Sequence, residues 1–453
     1  MIRSRLSSGI FLTFFLLTVL NGSAQLVSGP MLGHTELRTA RIWVEVKPGS
    51  VADCWYWKSG EPASARRITL TASNAWFTPL IFDLVNLELN TAYEYAVRVN
   101  DRSGKQPAAA DGSFHTDELW QWRKPAPDFS FLTGSCFYAN EPVYDRPGPG
   151  YGKDSSIFEA MAKEKAAFML WLGDNWYLRE ADYFSAWGIW YRANHARSLP
   201  VLQPFLKAMP HYAIWDDHDY GPNDGDRSFP LKEESRKVFM NYWTNPSYGY
   251  MGEGIYTKIS KSDCDFFLMD DRSFRSPDDM APFIDGKANP EKRMWGVKQL
   301  EWLKSALVMS RAPFKFIVTG SQVLNPVSPY DCMQDYPFEF QELMQFLQKE
   351  KVNGVLFLTG DRHHSEIIRF SREGSYPLYD ITSSPLTSGT GIAGGKEKDN
   401  PYREPKTLVE AQNYTRITVS GKQNDRTLKV EFLGIKGELI TSWSVSEKAL
   451  KQP

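Results

Sequence analysis

Phe168–Tyr177 reads FMLWLGDNWY. The apolar run FMLWL stops at Gly173, and Asp174 and Tyr177 follow at once. A run this short suits a buried strand or a buried helix segment; the glycine break favours the strand. Such a strand delivers a carboxylate and a phenol, three residues apart, into one loop where both can turn toward one point. Alone, Gly-Asp after a strand is as often a plain turn as a site. Recurrence along the chain decides the matter.

Five more segments repeat the pattern: Phe129–Cys136 (FSFLTGSC), His211–Asp219 (HYAIWDDHD), Asp265–Arg272 (DFFLMDDR), Phe314–Gln322 (FKFIVTGSQ) and Val355–His364 (VLFLTGDRHH). Helical patterns lie between them. SIFEAMAKEKAA follows Asp154 and Ser155, both suited to N-caps; VKQLEWLKSALVMS sets Val297, Leu300, Leu303 and Leu307 on one face; FQELMQFLQKE keeps the same period. Apolar strands alternating with amphipathic helices mark a layered α/β domain. Ligands in such domains bind beyond the carboxyl ends of the strands. All six strands end there in polar residues, rich in carboxylate and imidazole with one thiol and one phenol. That inventory suits metal ions, because carboxylates take hard cations while imidazole and thiolate take transition metals. HExxH, paired CxxC, GxSxG and a glycine-rich Walker loop are all absent, which argues against a single zinc, a serine nucleophile and a P-loop. A two-metal hydrolytic centre, in which paired ions generate hydroxide and neutralise phosphoryl charge, is what remains.

The rest of the chain frames that centre. Its 453 residues allow two or three domains. Lys+Arg 52 against Asp+Glu 54 gives a net charge of -2, so no basic field points to nucleic acid. Residues 1–24 read as a signal peptide: Arg3 and Arg5, the apolar stretch Ile10–Leu20, then Gly22 and Ala24 before a cleavage point at Gln25. The stretch is short for a membrane span, an uncleaved anchor is the alternative, and no later stretch approaches transmembrane length. Export to the periplasm or the extracellular space follows. Residues 25–118 read as a small all-β sandwich, with ARIWVEV, DCWYW and AYEYAVRV separated by turn residues. LELNTAYEY (Leu87–Tyr95) is similar to the strand-turn-strand corner of fibronectin type III modules. WQWRKPAP (Trp120–Pro127) marks the boundary, and residues 128–449 form the catalytic domain. Among Cys54, Cys136, Cys264 and Cys332, a Cys264–Cys332 disulfide is open.

Ser135-Cys136, Gly173-Asp174-Asn175-Trp176-Tyr177, Trp215-Asp216-Asp217-His218-Asp219 and Gly360-Asp361-Arg362-His363, in this order, resemble the PhoD-type alkaline phosphatases. These are calcineurin-like metallophosphoesterases preceded by a fibronectin-like domain, so the resemblance implies an αββα sandwich after the β-sandwich. It implies Fe³⁺ held by Cys136, Asp174 and Tyr177, with Asp174 bridging to one or two Ca²⁺. It places Asp217 and Asn223 on the second metal, Asp361 and His363 on metal, and His218 at the leaving group or a phosphate oxygen. Arg362 and His364 are expected to hold phosphate oxygens. The implied activity is hydrolysis of phosphate monoesters and diesters. A purple acid phosphatase would carry Asp in place of Cys136 and His-rich later motifs; a calcium-dependent surface or adhesion module without catalysis is the reading from another class. Other polar residues read as structural: Asp270-Asp271-Arg272 as a local ion pair holding a loop, His34, His115 and His211 without spacing signal, and Arg192 and His195 on a helix facing solvent or cleft. Gly389–Lys398 reads as a loop near the site and a substrate lid.

Overall fold

The computed structural model describes residues 25–100 and 108–452; the signal peptide expected over residues 1–24 lies outside them. Alternating strands build the N-terminal part. Leu26–Thr35, Ala40–Val46 and Pro79–Leu84 form a three-stranded sheet, which faces a four-stranded sheet of Arg66–Thr71, Val51–Lys58, Ala92–Asn100 and Ala108–His115. Ile42, Val44, Phe82, Leu84, Tyr95 and Val97 fill the space between the sheets with no exposed surface. At the Leu87–Tyr95 corner the Tyr93 hydroxyl accepts the Glu88 N–H at 2.9 Å, tying the turn to the strand that follows.

Two six-stranded sheets stack to make the second part. In the first, Phe129–Gly134, Met169–Leu172 and His211–Ile214 run parallel, and Tyr414–Lys422, Asp425–Leu433 and Leu439–Ser446 extend it antiparallel. In the second, Cys264–Leu268, Lys315–Val318, Val355–Thr359 and Leu378–Thr382 run parallel between the edge strands Thr257–Lys261 and Glu366–Phe370. All six segments expected as strands are strands. Phenylalanines lock the sheets together: Phe131 stacks on Phe168 at 5.0 Å and meets Phe266 and Phe316 edge-on at 5.1 and 5.6 Å. Edge-to-face rings at these separations add to plain area burial. Helices Val297–Met309 and Pro337–Lys349 bury Leu300, Leu303, Leu343 and Leu347 in the same core. Helices Ala186–Arg197, Gln203–Ala208 and Lys232–Tyr242 pack with the other face of the first sheet. The result is the αββα sandwich.

Three details differ from the sequence reading. The helix after Asp154 is only Ile157–Met161, capped at Ser156, because the chain must turn into the Met169–Leu172 strand soon after. Val297 is 52% exposed at the first position of its helix, outside the buried face of Leu300, Leu303 and Leu307. All four cysteines are free and buried: Cys332 Sγ donates to the Asn325 carbonyl at 3.4 Å, so no Cys264–Cys332 disulfide forms.

The parallel strands end at one edge of the stack, where backbones nearly touch. A Cβ on Gly360 would lie 2.7 Å from Ser135 Cβ, and one on Gly320 would lie 2.4 Å from Asp216 Cγ. Small residues there let loops of both sheets converge. The β-sandwich docks beside this edge through Trp43 Nε1 to the Asn241 carbonyl (2.7 Å) and the His34 and Tyr212 side chains (3.1 Å). Among the described residues no helix is long and apolar enough to cross a membrane.

Candidate metal centre

The loops after the strands carry their polar residues on unusual backbone. Cys136 (φ +62°), Asp174 (+53°), Asp361 (+63°) and His363 (+58°) all lie in the left-handed region, and none is glycine. Each such residue costs about 1–3 kcal/mol, and the packing around it must hold it there. The reason is directional: a sharp left-handed turn at the strand end points the next side chain back over the edge. Gly173 (φ +91°) allows the first such turn, and a Cβ on it would stand 2.6 Å from Asp216 Cβ.

Two ligand groups result. Cys136, Asp174 and His363 offer donor atoms within 4.8 Å of one another, as do Asp174, Asp217 and His218. Asp174 belongs to both. The Tyr177 hydroxyl donates to Asp174 Oδ2 at 2.8 Å and lies 3.3 Å from His363 Nε2, so it joins the first group. Ser384 anchors that group, donating from Oγ to Cys136 Sγ at 3.1 Å and accepting the His363 N–H at 2.9 Å. Asp217 accepts the His218 and Asp224 N–H groups at 2.9 and 2.8 Å. The His218 ring stacks on Tyr177 at 4.2 Å. Asp217, His218, Asn223, Asp361 and His363 all line one cleft of about 820 Å³. Asp361 enters neither ligand group; its backbone carbonyl lies 3.6 Å from Cys136 Sγ.

The electrostatics say what the first group lacks. Burial, then Asp217, Asp219 and Asp361, push the Asp174 carboxyl well above its usual range. Burial, then Asp174 and Asp361, do the same to the Cys136 thiol, and burial with Asp174 raises the Tyr177 phenol. Burial lowers His363 to about 4. Among the described residues no arginine or lysine forms an ion pair with Asp174, so this shared carboxylate has no internal cation. A bound cation reverses all of these penalties together. Thiol, phenol, carboxylate and imidazole fit a transition metal of high charge; Asp174, Asp217 and Asn223 are all oxygen donors and fit a hard cation.

Asp217 is the exception among the acids. Burial raises it, but His218, Arg272 and the Asp224 N–H outweigh that and hold it below the usual range. Arg272 was read as part of a local pair, and here the structure corrects the sequence. Its Nε donates to Asp216 Oδ1 at 2.6 Å, its Nη2 reaches Asp331 Oδ2 at 3.0 Å, and the side chain is 1% exposed. Asp271 instead accepts the Gly320 and Ser321 N–H groups, and Asp270 accepts the Trp215 indole N–H. The three neighbours thus brace three different loops. Arg192 is likewise buried, bonded to Asp182 and Glu141 at 2.8 Å. His211 bridges the Trp171 indole and the Phe205 carbonyl inside the core.

Arg362 and His364 both line the cleft beside buried carboxylates. Arg362 Nη2 donates to both oxygens of Glu397 at 2.7 Å, and His364 Nε2 lies 3.5 Å from Glu366; both side chains are 2% exposed. The Arg362 guanidinium is paired through Nη2 with Glu397, which fixes the Gly389–Lys398 loop beside the cleft. That loop does border the cleft, through Gly391, Ile392 and Glu397. Tyr151 escaped the sequence reading. Its hydroxyl lies 2.9 Å from His363 Nδ1, so it orients the ring whose other nitrogen faces Tyr177. It sits in PGPGYGK, where no periodicity signals a site.

Comparisons with known proteins agree with this geometry. The family described as PhoD-like phosphatase matches residues 135–432, and a domain family of unknown function matches residues 23–115. Alkaline phosphatase D of Bacillus subtilis (strain 168) is 26% identical over 358 residues, 66% of this chain; the chain spans 58% of that relative's length. Among solved structures, one titled as PhoD superposes with a TM-score of 0.76 at 18% identity, over 95% of this chain and 92% of that one. Purple acid phosphatase PPD1 from yellow lupin seeds gives 0.64 at 11% identity, over 92% and 74%. At these identities the two structures show the shared metallophosphoesterase fold. The family match covers well over half of the chain, from Ser135 through every loop that builds the cleft, and the chain belongs to the PhoD-like phosphatases.

Proposed function

We propose that the protein is an exported, metal-dependent phosphohydrolase acting on phosphate monoesters, diesters or both. One observation carries this reading: a thiol, a carboxylate and an imidazole on left-handed backbone converge with the Tyr177 phenol at the open edge of the sandwich, and among the described residues no arginine or lysine pairs with Asp174. In this proposal Cys136, Asp174, Tyr177 and His363 hold iron, while Asp174, Asp217 and Asn223 hold calcium, with Asp361 adding its carboxylate to the shared cleft. Bound there, such ions supply Lewis acidity and a strong nucleophile at neutral pH.

The chain's own groups do the rest. A water oxygen attacks phosphorus opposite the departing oxygen, the P–O ester bond breaks, and the alcohol leaves with a proton. Burial lowers His218 from its ordinary value against the pull of Asp217, so its ring is neutral at alkaline pH. It therefore serves as an N–H donor to the departing oxygen, and stacking on Tyr177 holds it at the cleft mouth. Export rests on the leader pattern and is checked by N-terminal sequencing of the mature protein, expected to begin at Gln25.

The test combines elemental analysis with a visible spectrum before and after Tyr177→Phe, alongside turnover of 4-nitrophenyl phosphate and bis(4-nitrophenyl) phosphate. Iron with calcium, hydrolysis, and a charge-transfer band lost in the variant support the reading. Zinc alone, or no tightly held metal and no turnover, refutes it.

A further inference from the structure

A second groove opens beside the metal cleft. It encloses about 580 Å³ and shares Tyr151, His218 and Asn223 with the cleft, so His218 stands at the junction of the two. Their chemistry differs sharply. Asp224, Asp278 and Asp331 crowd their carboxylates within 4.8 Å at the cleft side, and Asp335 lines it too. The groove is walled instead by Tyr138, Tyr144, Tyr151, Tyr177 and Tyr183, and its two acids, Asp145 and Glu180, are each paired with an arginine, Arg179 and Arg146.

The wall is built, not incidental. Tyr138 meets Tyr151 and Tyr177 at 5.0 Å each, and Tyr177 meets His218 at 4.2 Å, a staircase of rings leading to the junction. Arg179 backs Tyr138 at 4.0 Å and is itself held by Asp145 at 2.8 Å, so the floor of the staircase is fixed. Tyr144 and Tyr151 remain 45% and 41% exposed while lining the groove, and Arg146 is 88% exposed.

We infer that this groove is the leaving-group subsite and that it takes an alcohol bearing a flat aromatic ring. The inference rests on the phosphohydrolase reading, in which His218 faces the departing oxygen. A ring on that oxygen has two places to go. In the cleft it would strip water from Asp224, Asp278, Asp331 and Asp335, with Tyr330 the one tyrosine there besides the shared Tyr151. In the groove it stacks on tyrosine faces, with the Arg146 guanidinium at the rim held by Glu180 at 3.0 Å.

The test uses the metal-loaded full chain and three non-hydrolysable probes: methylphosphonate, cyclohexylphosphonate and phenylphosphonate, with Kd measured by calorimetry. Phenylphosphonate is expected to bind about 3- to 10-fold more tightly than the size-matched cyclohexyl compound, the range one aromatic pair contributes. Tyr144→Ala should remove most of that preference and leave methylphosphonate unchanged; Tyr144→Phe should keep it. Tyr183→Ala, in the same wall, serves if the first variant does not fold. Equal affinity for phenyl and cyclohexyl, or an equal loss for all three probes in Tyr144→Ala, overturns the subsite while hydrolysis of 4-nitrophenyl phosphate leaves the phosphohydrolase reading standing. Binding of none of the probes, together with no hydrolysis, overturns both.

Discussion

Arg272→Met is expected to destabilise the catalytic domain by about 3–4 kcal/mol. Arg272 is 1% exposed and bonds two carboxylates, Asp216, itself 1% exposed, and Asp331, 15% exposed, with Asp217 a third at 4.0 Å. Asp331 keeps a second partner in Arg275 at 2.6 Å, so its loss is partial. Asp216 does not. Its carboxylate would retain only backbone N–H groups of the short helix it caps, the Asp217 N–H at 3.0 Å among them. Removing one member of a buried ion pair costs about 3–5 kcal/mol because the other charge stays behind unpaired; the surviving Arg275 contact keeps the sum toward the lower end. Urea unfolding, followed by the fluorescence of the tryptophans around this edge, measures it. The stronger assay is the double-mutant cycle with Asp216→Asn, since neutralising the stranded acid should recover at least about half of the loss. A single-variant cost below about 1 kcal/mol, or strict additivity in the cycle, would refute the argument and mean that Asp216 is already neutral beside Arg272.

Other outcomes follow from the same structure. Glu45 is buried and raised to about 6 by that burial, against the Tyr242 hydroxyl that bonds both of its oxygens. A raised carboxyl stabilises the fold below its unfolded value near 4.5 and loses that contribution as pH rises through about 6. Glu45→Gln should therefore gain on the order of 2 kcal/mol over wild type at pH 8 and nothing at pH 4, read as the difference between two urea midpoints; equal shifts at both pH values would contradict it. Gly173→Ala puts a Cβ 2.6 Å from Asp216 on left-handed backbone and should cost more than about 2 kcal/mol and lower metal content, by unfolding and elemental analysis. Tyr151→Phe removes only the hydroxyl on His363 and should weaken metal retention about 10-fold or more against a chelator without changing stability by more than about 1 kcal/mol; unchanged retention would show that Ser384 and packing orient His363 alone.

What the sequence disclosed, and what it hid, divides along one physical line. Period and punctuation are local, so six apolar runs closed by Gly, Cys or Asp were legible as strands feeding one edge, whereas the ligand set around Asp174 came from the resemblance of the ordered motifs. The left-handed turns were half legible: Gly173 announces the first, but Cys136, Asp174, Asp361 and His363 adopt positive φ although their residue types do not demand it. Packing imposes that conformation, and packing is not written in any one segment. The long-range charge contacts were hidden for the same reason. Asp270-Asp271-Arg272 looks self-contained because opposite charges are adjacent, yet adjacent residues on a strand end point apart, and each found its partner more than 25 residues away, at Trp215, Gly320 and Asp216. Arg362 makes a long-range contact of the same kind: it lines the cleft beside Asp361 and His363, and Glu397, brought over by a glycine-rich loop, bonds its Nη2. A charged residue next to a ligand motif is therefore weak evidence for substrate contact until the loops that cover it are known. Here Glu397 ties Arg362 to its loop, while Tyr144 and Tyr151 stay 45% and 41% exposed, and it is on that exposure that the proposed subsite rests.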